Sequence, residues 1–103
     1  MSEIQEPYFD LEDVRRMVAK WSVDCGRRVQ ERRQALDIDR KVFAQLVGST
    51  EPTIIRIEAG TLNPRDYLKL AIASALICEV ETLWPFPRRA DVFSGAGITQ
   101  QVA

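Results

Sequence analysis

The chain has 103 residues, of which 46% are hydrophobic and 28% charged, and its 14 basic and 15 acidic side chains give a net charge of −1. This composition is typical of one folded domain. The chain contains no histidine, which excludes Cys/His zinc sites, histidine general bases and Ser-His-Asp triads. We therefore expect no enzyme, no metal and no cofactor.

The first predicted element is helical and begins at about residue 11. Apolar residues recur there at spacings of three, four or seven, which is typical of one helix face. Asp10 is suited to cap its N-terminus. The pattern fits one helix from about 11 to 36 or two helices that break near Gly26, and residues 1–9 are expected to be frayed.

Two short helices are predicted next, each with a local start signal. Asp39 is expected to cap a helix over about 40–47, and Thr50 a helix over about 51–58. Gly60 follows the second of these helices, as a left-handed C-cap would.

Two further helices complete the prediction. Asn63 is expected to cap a helix from Pro64 to about residue 76, and a brief helix over about 79–84 stops before Pro85. Small and polar residues without a period follow, and no stretch of the chain alternates with period two. The sequence therefore predicts an all-α fold of five helices.

A spaced set of residues in the middle of the chain carries a resemblance to a known family. It comprises Gly26, Val29, Arg33, Phe43, Ala44, Gly48, Thr50, Ile54, Ile57, Glu58, Gly60, Pro64, 72–76 and 83–84. In this order and spacing, the set resembles the Xre family, the Cro and lambdoid-repressor class of helix-turn-helix DNA-binding domains. The resemblance covers about 60 residues.

The resemblance implies a repressor-like helix-turn-helix domain over residues 26–85. Residues 1–25 are then an N-terminal extension, largely helical from about residue 11, and 86–103 a mostly disordered, flexible tail. Asp37 and Asp39 replace the usual glycine and serine of the first turn; Asp can adopt a left-handed conformation and can cap a helix, so the turn is expected to survive. Lys69 and Ile77 also depart from the family pattern, at positions that are usually leucine and glycine.

The family's functional positions transfer residue by residue to this sequence. The third helix would lie in the major groove. The residues implied are Glu51, Pro52, Thr53 and Arg56 as base contacts, Arg40, Thr50, Thr61, Asn63 and Arg65 as phosphate contacts, and Arg33 with Glu58 as a structural ion pair.

The chemistry of these side chains fits the implied contacts. The Arg56 guanidinium can donate two hydrogen bonds to a guanine, and Glu51 can accept one from a cytosine amine. Each has a simpler interpretation, because an exposed arginine can be a solvated charge and a glutamate in the first turn is favoured by the helix dipole. Cys25 and Cys78 are expected to be small buried residues of a reduced protein.

Charge is unevenly distributed along the chain, and the distribution favours anion binding by the middle of the sequence. Residues 1–25 have a net charge of −3, residues 26–70 of +3 and residues 71–103 of −1. No apolar run reaches the roughly 18 residues of a membrane-spanning helix, and the acidic start is unlike a secretory signal. We expect a cytoplasmic protein without membrane contact, associated with the nucleoid when bound to DNA.

The function predicted from these observations is sequence-specific regulation of transcription. We expect a repressor that binds palindromic double-stranded DNA as a homodimer, either a phage-type repressor or an antitoxin-type autoregulator. Residues 1–25 could then hold a toxin or another regulatory protein. The alternative is a protein-interaction module that keeps the fold without DNA binding. The pI of about 5.4 and the carboxylates of Asp37, Asp39 and Glu51 favour that alternative.

Overall fold

The computed structural model of the chain describes residues 10–87. The predictions for residues 1–9 and for the tail from residue 88 onward lie outside the described residues. Between residues 10 and 87 there are five helices and no strand, which confirms the all-α prediction. The helices are α1 (Leu11–Ala35), α2 (Arg40–Leu46), α3 (Glu51–Ala59), α4 (Asp66–Ala75) and α5 (Val80–Leu83). None of them is long and apolar enough to span a bilayer.

The described residues fall into two units, residues 10–20 with Pro87, and Trp21–Phe86. In the first unit, the described residues form the start of α1. Asp10 accepts a hydrogen bond from the Glu12 amide at 3.0 Å, as a capping side chain does. Exposed ion pairs one turn apart, Glu12 with Arg15 and Asp13 with Arg16, contribute little to stability.

The second unit contains a hydrophobic core to which all five helices contribute. Ile54 and Ile57 are buried in it and hold α3, as predicted. Its other buried members are Cys25, Val29, Phe43, Ala44, Val47, Ile72, Ala73, Leu76, Leu83 and Trp84. Burial raises the pKa of the Cys25 thiol, so the thiol stays protonated at neutral pH.

Of the two alternatives that the sequence left open, the structure has the first, one continuous helix, α1. Gly26 lies inside it and is buried, and a Cβ at this position would overlap the carbonyl oxygens of Ile57 and Glu58. The backbones of α1 and α3 are therefore in direct contact. Glycine is unfavourable inside a helix by about 1 kcal/mol, and here the close contact of the two helices outweighs that cost.

A second close contact holds the end of α3 against α1. Gly60 has a φ of 82°, and a Cβ there would lie 2.5 Å from the Val23 Cα. The Ser22 hydroxyl donates to the Gly60 carbonyl at 3.0 Å. Gly60 is thus required both for its left-handed conformation and for the space that α1 needs. The C-terminal end of α3 is fixed at two adjacent points.

The turn between α1 and α2 keeps its form despite the unusual residues in it. Asp37 has a φ of 59°, and Asp39 caps α2 by accepting from the Lys41 amide at 3.1 Å. Both properties were expected from the side-chain chemistry of aspartate.

The start of α4 differs from the prediction by two residues. The N-cap is Arg65, with extended φ and ψ of −72° and 165°, rather than Asn63. Pro64 is buried, the backbone is still extended at Arg65, and the helix begins at Asp66.

The end of α4 contains a strained residue. Ile77 has a φ of 58° and is 73% exposed, although β-branched residues rarely adopt this left-handed conformation. Arg32 of α1 donates to the carbonyls of Leu76 and Ile77 at 2.8 and 2.9 Å. The tertiary hydrogen bonds of Arg32 offset the strain. Lys69, at the other unusual position, lies with its ammonium 5.7 Å from the centre of the Trp84 ring.

Gly26→Ala tests the contact between α1 and α3. In an ordinary helix this change stabilises a protein, but here we expect a loss of about 2 kcal/mol in the free energy of unfolding because the new methyl group overlaps two carbonyls. Gly48→Ala is the control, since no atom lies within 4 Å of its Cβ position. Gly48→Ala should therefore lower the free energy of unfolding by only about 1 kcal/mol, the cost of placing an alanine in the left-handed conformation. Chemical denaturation measures both, and a stabilising Gly26→Ala would show that the backbones are not in contact.

Ile77→Gly should stabilise the protein by about 1 kcal/mol, because glycine adopts the left-handed conformation without strain. Ile77→Ala retains a Cβ and should recover less. Thermal or urea unfolding of the wild type and the two variants gives their order of stability. An alanine variant at least as stable as the glycine variant would contradict the assignment of strain to Ile77.

Candidate nucleic-acid interface

A buried ion pair connects α1 to α3. The Glu58 carboxylate is 3% exposed, and the Arg33 guanidinium, 7% exposed, donates to both of its oxygens, at 2.6 Å through Nε and 3.1 Å through Nη2. Arg33 also donates to the Ile38 carbonyl at 2.9 Å. A buried charge needs such complete pairing, and removal of either partner would leave the other charge buried and unpaired.

Glu58 has a second cationic partner. Arg40, the first residue of α2, donates from Nε to Glu58 Oε1 at 3.3 Å, and its side chain is 32% exposed. The carboxylate thus lies between a buried guanidinium and a half-exposed one. The sequence assigned Arg40 to a phosphate and Arg33 to Glu58, and it gave no signal for a contact between Arg40 and Glu58.

The outward face of α3 carries the predicted base-contacting residues. Glu51, Pro52 and Arg56 are exposed, and Thr53 is half-buried. Ile55 is also exposed on this helix. Because Ile54 and Ile57 fill the core, these side chains share the opposite surface, where an external ligand can reach them.

Besides Arg40, two of the predicted phosphate contacts are already engaged within the protein. The Thr50 hydroxyl caps α3, accepting from the Thr53 amide at 3.4 Å, and donates to the Thr53 hydroxyl at 3.0 Å. The Thr61 hydroxyl donates to the Arg56 carbonyl at 3.2 Å. A phosphate oxygen only accepts hydrogen bonds, so each hydroxyl would have to rotate before it could donate to DNA.

The remaining two predicted phosphate contacts lie on the surface between α3 and α4. Asn63 and Arg65 are exposed, and they line one shallow surface hollow together with Tyr67. Tyr67 was missed by the sequence analysis, although its position two residues after Arg65, in the first turn of a helix, is the signal that could have found it. Its exposed ring is available to an external partner.

Positive and negative side chains are interspersed on this part of the protein. Exposed carboxylates accompany the arginines, and they include Asp37, Asp39, Glu51 and Asp66. Asp39 accepts a backbone hydrogen bond at the start of α2, so part of its charge is balanced by the helix. Among residues 10–87 there is no cluster of three or more His, Cys, Asp or Glu side chains that could hold a metal ion.

Comparison with known proteins gives a structural match and no match of other kinds. Neither a protein-family model nor a curated protein matches the chain. Among solved structures, the restriction-modification controller protein C.AhdI from Aeromonas hydrophila is 30% identical. The match covers 59% of this chain and 92% of that chain, with a TM-score of 0.57. C.AhdI is a helix-turn-helix regulator. With that identity over nearly the whole length of C.AhdI, the present chain belongs to the same family of helix-turn-helix proteins.

Proposed function

We propose that this protein is a sequence-specific DNA-binding transcriptional regulator of the Xre type, a repressor that binds palindromic DNA as a homodimer. The observation that carries the proposal is the exposed face of α3, with Arg56 on a helix whose C-terminal end is fixed to α1. A rigidly held helix with polar side chains on its free face suits the major groove. The likeness to a controller protein supports a regulatory use of the binding.

In the proposed complex, the exposed residues of α3 read the bases. Arg56 would donate two hydrogen bonds to a guanine, and Glu51 would accept one from a cytosine amine. Pro52 and Thr53 would make apolar and hydroxyl contacts beside them. These contacts require the first turns of α3 to lie deepest in the groove.

The proposed phosphate contacts surround α3. Asn63 and Arg65 are exposed and ready to donate, and Arg40 extends from the start of α2. Thr50 and Thr61 would join them once their hydroxyls rotate. Contacts of this kind set the register on DNA and carry no sequence information.

The proposed second copy supplies the second half of the DNA site. A single domain of this size contacts a few base pairs, and two copies about 34 Å apart reach useful specificity. Support comes from α4, where Tyr67 and Leu70 are large exposed apolar residues three positions apart on one face of the helix. Such a face can pair with its own copy around a two-fold axis.

The proposal keeps the division expected from the sequence. Residues 26–85 would form the DNA-binding domain and residues 1–25 the extension, of which residues 21–25 pack on the domain and the part before Trp21 would hold a toxin or another regulatory protein. Because the proposed ligand is double-stranded DNA, the proposed activity is in the cytoplasm, at the nucleoid. Both the phage-type repressor and the antitoxin-type autoregulator agree with this division.

Arg56→Ala and Arg65→Ala should weaken DNA binding in different ways. Loss of the bidentate contact of Arg56 should cost about 1–3 kcal/mol and relax the preference at one base pair per half-site. Loss of Arg65 should weaken all sequences alike and lower the salt slope by about one. Binding-site selection and salt titration on both variants distinguish these outcomes.

Other outcomes would count against the proposal. Full retention of binding by Arg56→Ala would reject α3 as the recognition helix, and equal, uniform losses would make Arg56 a phosphate contact. A wild-type chain that selects no sequence at any salt concentration would instead favour the interaction module. The interspersed exposed carboxylates are the observation that supports that second function.

Leu70→Glu should disrupt the proposed homodimer, because two buried carboxylates would face each other across the two-fold axis. Leu46→Glu is a matched control, since Leu46 is 62% and Leu70 60% exposed and both lie in helices. Light scattering should give a monomer for the first variant and a dimer for the second. A dimeric Leu70→Glu protein would move the interface away from this face of α4.

A further inference from the structure

We propose that Glu58 is a positioning residue for DNA binding. Its buried carboxylate holds the Arg40 guanidinium through Nε, and both Nη groups of Arg40 are thereby presented to a single phosphate of the DNA backbone. The inference rests on the proposed function, since Arg40 acts on a phosphate only when α3 lies in the groove.

Arg33, Arg40 and Glu58 form a cluster of three charged side chains with a net charge of +1, and Arg40 lies at its exposed end. Arg33 binds both oxygens of Glu58, so these two buried groups form a neutral pair. Arg40 adds a second positive charge to the same carboxylate, and its side chain is 32% exposed while that of Glu58 is 3% exposed. The exposed end of the cluster therefore attracts an anion.

The hydrogen bond through Nε leaves the end of the Arg40 guanidinium, with its two Nη groups, free for a bidentate contact. The guanidinium is planar and carries five donors, and Nε uses one of them on Glu58. Nη1 and Nη2 keep their donors for two oxygens of one phosphate, a pairing that a lysine ammonium cannot reproduce. An arginine that is already oriented also loses less rotamer freedom on binding.

A purely structural role for Arg40 makes different predictions. Its contact of 3.3 Å is longer than the 2.6 Å contact of Arg33, and Oε1 is shared with Arg33 Nη2. A half-exposed third partner of this kind contributes little to stability. Removal of Arg40 should therefore affect DNA binding more than folding, whereas removal of Glu58 should affect both.

A double-mutant cycle on the full chain tests the inference. The variants are Arg40→Gln, Glu58→Gln and the pair, and the probe is a duplex containing the sequence that the wild-type protein selects. We expect Arg40→Gln to lower the affinity about tenfold, with a salt slope smaller by about one and an unchanged melting temperature. Glu58→Gln should add little to this loss of affinity when Arg40 is already absent.

Arg40→Lys provides the test that does not depend on the folding of Glu58→Gln. Lysine keeps the charge without the fork, so the affinity should fall nearly as far as in Arg40→Gln while the salt slope stays as in the wild type. Lys41→Gln is the control for charge alone, because Lys41 is the exposed neighbour in α2. Its affinity loss should be smaller than that of Arg40→Gln.

Three results would overturn the inference while leaving the proposed function in place. They are wild-type affinity in Arg40→Lys, unchanged DNA affinity in Arg40→Gln with a lowered melting temperature, and equal affinity losses from Glu58→Gln with and without Arg40. A wild-type protein that binds no duplex would overturn the proposed function and this inference together.

Discussion

The burial of the Glu58 carboxylate is the constraint on which the arrangement of α1, α2 and α3 depends. A carboxylate that is 3% exposed is tolerable only with cationic partners and hydrogen bonds. Arg33 can reach it because the backbones of α1 and α3 already touch at Gly26, two turns earlier in α1. The close contact and the ion pair therefore support each other, and together they fix the helix that carries the exposed polar face.

The first helix also completes the hydrogen bonding of the helices that follow it. The last carbonyls of a helix have no partner within that helix. Side chains of α1 donate to them: Ser22 to Gly60 after α3, Arg32 to Leu76 and Ile77 after α4, and Arg28 to Leu83 at the end of α5. Trp21 donates to the Pro85 carbonyl beyond that. The position of α1 thus determines where three other helices can end.

Local chemistry made much of this fold predictable from the sequence. The caps Asp39 and Thr50 and the left-handed Gly60 act on their own neighbours in the chain, so their residue types indicated the helix ends. The continuity of α1 and the start of α4 were less predictable, because a contact with α3 accompanies the first and no side-chain cap marks the second. For the candidate site, the exposed face of α3 followed from periodicity. The contact of Arg40 with Glu58 joins residues 18 positions apart and left no pattern in the sequence.

A chain with a net charge of −1 can bind a polyanion only through the placement of its charges. Near the proposed DNA contacts, two carboxylates are balanced within the protein, Glu58 by Arg33 and Asp39 by the Lys41 amide at the start of α2. In the proposed complex, Arg40 and Arg65 remain to face the phosphate backbone and Arg56 remains to face the bases. Three cations per copy give weak non-specific attraction, so in the proposed complex selectivity would come from base contacts and from pairing of two copies. With so few cations, the orientation of Arg40 would matter in that complex: a guanidinium held in place by Glu58 would make two hydrogen bonds to a phosphate, where a mobile one would contribute mainly its charge.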